Sequence, residues 1–172
     1  MPFPCSSSRP KLPTGVKVNS FPKAGTNADP EKNGKTFRFD GGKKSTADSP
    51  VVFEGTFEVK PKEIQVTQGY VALYIHGDLS LEGCSIVNQT KPEAPIRLTI
   101  YMLDPGSQLD IGGTAQVWAH IYAPLSDVRD HGTSDFTGWI IGKTLQWKGN
   151  STLHYDGTDN VKLDPYKITL VK

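Results

Sequence analysis

The stretch TSDFTGWIIGKTLQWKGNSTLHYDG, residues 133–157, gathers Asp135, Lys143, His154 and Asp156, residue types that enzymes use for acid–base work. Just upstream, DVRDHGTSD sets Asp127, Asp130 and Asp135 around Arg129 and His131. Glycoside hydrolysis needs two carboxylates at a defined separation, one as acid and one as base or nucleophile. Asp110, Asp127 and Asp135, with Arg129 or Lys143 nearby, are the set from which such a pair would come. Calcium needs several oxygens on a flexible loop. Asp127, Asp130 and Asp135 make one such cluster, and Asp156 and Asp159 in DGTDN make a second. Neither matches the EF-hand spacing, and Arg129 puts positive charge inside the first. Asp, Gly and Asn are also ordinary turn residues. The expectation is no cofactor, with Ca2+ at these loops as the one exception composition allows.

The remaining signals for chemistry are sparse. His120, His131 and His154 show no H-x-x-x-H or H-E-x-x-H spacing and read as outward positions on alternating strands. Nucleophile-elbow, phosphate-loop and dinucleotide patterns are absent. No catalytic residue is assigned and no enzyme is expected, a polysaccharide lyase or hydrolase being the enzymatic alternative. Trp118, Trp139 and Tyr122 fall near similar places in successive units. Facing outward, such a row would stack on sugar rings or on another protein. Trp147 falls in an inward column and reads as core.

The elements that must hold these residues are strands. Apolar and polar residues alternate in VVFEGTFEV and EIQV, the period of a half-buried strand. Helical spacing is not sustained anywhere. Four segments share one plan: GDLSLEG at 77–83, GSQLDIGG at 106–113, APLSDVRDHG at 123–132 and GKTLQWKG at 142–149. Each follows an apolar strand (VALYIH, RLTIYML, VWAHIY, GWII) and ends on glycine. The closing glycines Gly113, Gly132 and Gly149 are 19 and 17 residues apart; the 30 from Gly83 to Gly113 include the polar insert NQTKPEAP. This spacing predicts an all-β parallel β-helix (β-solenoid) with coils of about 17–20 residues. Leu79/Leu81, Leu109/Ile111, Val128 and Leu145/Trp147 would stack as inward columns. An antiparallel sandwich is the runner-up.

IYAP at 121–124, DFTGWIIGK at 135–143 and GNSTLHYD at 149–156 occur in this order. With them, residues 74–156 resemble a β-helix domain at the C-terminal end of bacterial surface proteins, many of them type IV pilus-associated and PilX-like. The resemblance implies a right-handed parallel β-helix on an exported protein, with no established activity and no transferable catalytic residues.

Residues 1–50 hold seven of the thirteen prolines and a charge of +5, against −4 for the remainder. They read as an extended, partly ordered basic arm on a β-solenoid domain spanning 51–172. Short pieces at 16–18 and 36–39 alternate as edge strands would. The scattered basic residues suit a solvated coat better than a nucleic-acid arm, and nucleic acid is not expected as a partner. Cys5 and Cys84 would form one bridge or remain two thiols. No apolar run reaches transmembrane length. MPFPCSSSRP is not a signal peptide. An extracellular or cell-surface bacterial location therefore implies a targeting segment absent from this sequence. The strand YKITLVK at 166–172 would cap the stack or pair with a neighbouring subunit. Expected partners are copies of the chain or surface and pilus proteins through strand edges, and glycans. The expected role is a non-enzymatic structural or adhesive module.

Overall fold

The computed structural model describes residues 9–25, 34–88 and 96–155. Twelve strands lie among them: β1 (Val18–Ser20), β2 (Thr36–Asp40), β3 (Val51–Gly55), β4 (Glu63–Gln68), β5 (Val71–Ile75), β6 (Leu79–Ser80), β7 (Ser85–Asn88), β8 (Leu98–Met102), β9 (Gln108–Gly113), β10 (Gln116–Gly132), β11 (Asp135–Gly149) and β12 (Thr152–Tyr155). Every pairing between them is parallel, and they form one curled sheet. The described residues contain no helix.

Three rows of strands make the sheet. β1, β3, β5 and β8 pair in succession, and residues 120–122 of β10 extend that row. β6 and β9 form a second row, extended by residues 127–132 of β10. β2, β4 and β7 form the third, joined to β10 at Gln116. β10 and β11 run through all three rows side by side, and β12 returns beside the start of β11. Each residue therefore sits beside its equivalent in the next unit, not beside a hairpin partner. That is why the sequence alternates over short distances yet shows no hairpin turns.

Register explains the repeated plan. Leu79, Leu109, Val128 and Leu145 are successive partners, as are Phe53, Leu73, Ile100, Ile121 and Ile140. All but Phe53, Ile140 and Leu145 are buried. At roughly 1.5–3 kcal/mol for each large apolar side chain taken from water, these columns are the main source of cohesion. The closing glycines also align, Gly113 beside Gly132 beside Gly149. Their φ values are 63°, 135° and 104°. A Cβ on Gly132 would lie 2.7 Å from the nitrogen of Gly113, so the corner admits no side chain.

Four expectations change in detail. The aspartate segment 127–135 is not one flexible loop: β10 runs to Gly132 and β11 begins at Asp135. Asp130 is in the inward column between Ile111 and Trp147 and is 1% exposed. His120 faces outward as expected, yet it is buried, stacked on the side chain beside it. Leu145 lies in its expected column but is 54% exposed, because no described strand follows it. In the basic segment, β1 and β2 stand at the two ends of the strand order, as edge strands. The core nevertheless begins before residue 51, since Phe37 and Phe39 on β2 are buried in it.

Candidate functional site

Alternation along β3, β5, β8 and β10 turns one side of each strand inward and leaves the other to form an outer face. On that face Tyr74, Tyr101 and Tyr122 are register partners, continued by Ile141. Beside them run Val52, Ala72, Thr99, His120 and Trp139. Tyr74 and Tyr101 stack with centroids 4.6 Å apart and planes 10° apart. Tyr122 meets Tyr101 edge-on at 6.0 Å. His120 and Trp139 stack at 4.8 Å and 13°. Burial raises the phenol pKa of Tyr74 and raises that of Tyr101 much further, so both stay neutral hydroxyls.

The basic segment lies along part of this face. Leu12 packs against the cluster of Val52, Ala72, Tyr74 and Leu103. The Nε of Arg9 donates to the carbonyl of Leu103 at 2.8 Å, and its Nη2 reaches Asp104 at 3.3 Å. Asp104 belongs to a polar cluster at the edge of the face. Its Oδ2 accepts from the backbone N–H of Gly77 at 2.9 Å, and its Oδ1 lies 3.3 Å from His76 Nδ1. His76 Nε2 is 3.0 Å from Glu54 Oε1. The hydrogen bond to Glu54, aided by Asp104, raises the His76 pKa; the N–H of Gly77 first, then His76 and Arg9, lower that of Asp104.

Register brings two of the three predicted aromatics together: Tyr122 and Trp139 share the outer face. Trp118, half-buried, is the partner of Thr137 further back on β10. Tyr122 is 5% exposed, so little of it is available as an open platform.

The acidic residues divide between two sides. Asp127 faces outward and accepts from Thr144, its register partner, at 2.6 Å. Asp130 points inward, where its two oxygens accept from Ser134 Oγ and Ser151 Oγ. Asp135 is exposed and pairs with His154 at 3.2 Å. These three do not converge, and among the described residues no group of three or more His, Cys, Asp or Glu is placed to hold a metal. Asp156 and Asp159 lie outside the described residues. So does Cys5, while Cys84 is buried. No helix among the described residues is long and apolar enough to cross a membrane.

The sequence reading missed the Glu54–His76–Asp104 cluster. Its members are 22 and 28 residues apart, with no local signal. Aligning VALYIH on LTIYML by their apolar residues would have found it, since His76 and Asp104 both follow the same strand of the plan.

The polar contacts share a pattern. Asp40 and Gln68, Thr36 and Glu63, and Asp127 and Thr144 are register partners that also bond through their side chains. Glu82 holds Lys60 and is 3.1 Å from His131. The groups able to do chemistry are engaged pairwise across neighbouring strands.

No curated protein and no solved structure matches the chain. One family model does, over residues 34–159, a span running from the start of β2 past the end of β12. The chain belongs to that family, described as a domain of unknown function, DUF7305.

Proposed function

We propose that the curled parallel sheet is a parallel β-helix, and that the protein is a non-enzymatic structural or adhesive module of a bacterial cell surface or pilus-like assembly. The observation that carries this reading is the use made of its polar side chains. Thr144 on Asp127, Gln68 on Asp40, His154 on Asp135 and Asp104 on His76 each tie one coil to the next. Side chains committed to bracing successive coils make a rigid rod, which suits a load-bearing or spacer element. Its partners would be other surface or pilus proteins, or copies of the chain, with the basic segment and the outer face as the contacting regions.

Two measurements test this reading. Protease shaving of intact native host cells is expected to remove the protein; full protection until the cells are lysed would overturn surface display. Incubation with a panel of acidic and neutral polysaccharides is expected to release no new reducing or unsaturated ends. Turnover of any of them would overturn the non-enzymatic reading.

A second reading has one observation behind it. The outer face carries the partly exposed aromatics Tyr101 and Trp139, the kind of side chain on which sugar rings stack. Glycan-array binding that is lost in Trp139→Ala, with the fold intact, would favour a polysaccharide-binding module. Any Ca2+ requirement would appear as a calorimetric binding signal.

A further inference from the structure

Part of the outer face is covered rather than left to solvent. Val52, Ala72, Tyr74 and Leu103 alternate with the inward columns, yet Tyr74 is 7% exposed and the other three less. Their cover includes RPKLP, residues 9–13. Arg9 and Leu12 each precede a proline, which restricts both to extended backbone, and Pro10 and Pro13 have a fixed φ. A segment so restricted loses little freedom on docking, and aromatic-lined grooves are where proline-rich segments dock. The groove reads this one with two kinds of contact. Arg9 donates to the Leu103 carbonyl at 2.8 Å and to Asp104 at 3.3 Å. Leu12 packs on the apolar cluster of Val52, Ala72, Tyr74 and Leu103, against which Tyr101 also packs. Pro10, between the two contacts, is buried. A carboxylate at the rim of a tyrosine-bearing groove thus complements a cation followed by Pro-x-Leu-Pro.

We infer that this groove is a docking site between copies of the chain, each body taking residues 9–13 of a second copy in place of its own. The segment is joined to its own body in a way that permits exchange. Residues 9–17 belong to no strand, and β1 begins only at Val18. Residues 14–17 are exposed and turn at Gly15, whose φ is 78°. A Cβ there would meet nothing within 4 Å, so the turn is not packed against the body. The contacts of Arg9 and Leu12 can all be remade on an identical body, which makes exchange of the segment a low-cost route to association. Charge sets the fit, with the Arg9 guanidinium against Asp104 at the rim. Tethering gives the cis contact an effective concentration in the mM range, so a dilute chain keeps its own segment. Exchange takes over where copies are held close together.

The inference rests on the proposed assembly role and names the contact between copies. Two full-length variants test it without competition from the cis contact. One carries Arg9→Ala and Leu12→Ser, which leaves the groove intact and open. The other carries Asp104→Lys, which repels its own Arg9 and leaves the segment intact. Each alone is expected to be monomeric by light scattering, and their mixture to form a 1:1 dimer that excess peptide of residues 9–17 dissociates. A mixture that stays monomeric up to about 1 mM of each would overturn the inference. So would a dimer formed by the Arg9→Ala, Leu12→Ser chain alone, since that contact would not need the segment. Amide exchange at β5 and β8 reports whether each variant is folded. Should Asp104→Lys unfold, the peptide of residues 9–17 serves as donor to the open groove. It is expected to bind at least ~5-fold more tightly than its Arg9→Ala form, and equal binding or none would overturn the docking. Failure here overturns this contact alone; protection of the protein in the shaving test would overturn surface display and leave the exchange standing.

Discussion

The two ends of the stack are finished differently. At the first, phenylalanines close the core: Phe21 packs edge-on against Phe39 at 5.3 Å, Phe37 against Phe57 at 4.8 Å and Phe39 against Phe53 at 5.1 Å. Phe21 also lies over Gly55, where a Cβ would come within 3.0 Å of its ring. At the second, the same columns end on exposed Leu145, Leu153 and Tyr155. Parallel stacking gives every internal unit two neighbours and every terminal unit one. An end therefore has to be sealed by residues outside the repeat. The aromatic cluster does this at the first end; among the described residues no equivalent cluster stands at the second.

Substitutions can sharpen that contrast. Phe39→Ala at the closed end should cost about 3–5 kcal/mol, read from denaturant unfolding, because the packed ring has no room to be replaced by relaxation. A loss under about 1 kcal/mol would mean that the aromatic cluster seals nothing. Between the ends, Ser134→Ala should cost about 1–3 kcal/mol by leaving one oxygen of buried Asp130 without its donor. Asp130→Asn should recover part of that loss by removing the charge, and equal stability of all three chains would refute the tie. At the other end, Leu145→Ala should cost only about 1 kcal/mol or less, since more than half of that side chain meets water.

The smallest effect is expected with pH. His76 has a raised pKa in the fold, so its stabilisation is complete below its ordinary value of 6.5 and is lost as pH rises through the folded value. Asp104 has a lowered pKa; its contribution is present above its ordinary value and is lost as pH falls through the folded one. The Arg9 contact should thus hold best where Asp104 is ionised. The imidazole resonances of His76 should titrate above 6.5 and move back towards it in Glu54→Gln; an unmoved midpoint would count against the cluster.

Much of this architecture was legible because its repeat is written in residues that leave little choice. Leu79, Leu109, Val128 and Leu145 each lie four residues before a closing glycine, and register duly aligns them. What could not be read was whether a residue on the correct column or face would be covered. Leu145 and Val128 look alike in sequence and differ in having a following strand among the described residues. His120 and Tyr122 alternate outward as predicted, yet both are buried. Asp130 was the harder case. The sequence put it in a loop cluster, whereas it lies inward on β10, where Ser134 and Ser151 donate to its oxygens. The Glu54–His76–Asp104 cluster depends on stacking across three units, which no local spacing reveals.

Stacked units joined only to their neighbours also have a mechanical consequence. A pull on the C-terminus loads β12 first, then β11, then β10, one after another rather than together. Gly132 and Gly149 are partners 17 residues apart, so freeing one unit lengthens the chain by about 60 Å. The strongest resistance should come at the long ladder between β10 and β11, the most extensive pairing among the described strands. Under tension the described units would give way one after another, in unequal steps set by spacings of 17, 19 and 30 residues between closing glycines.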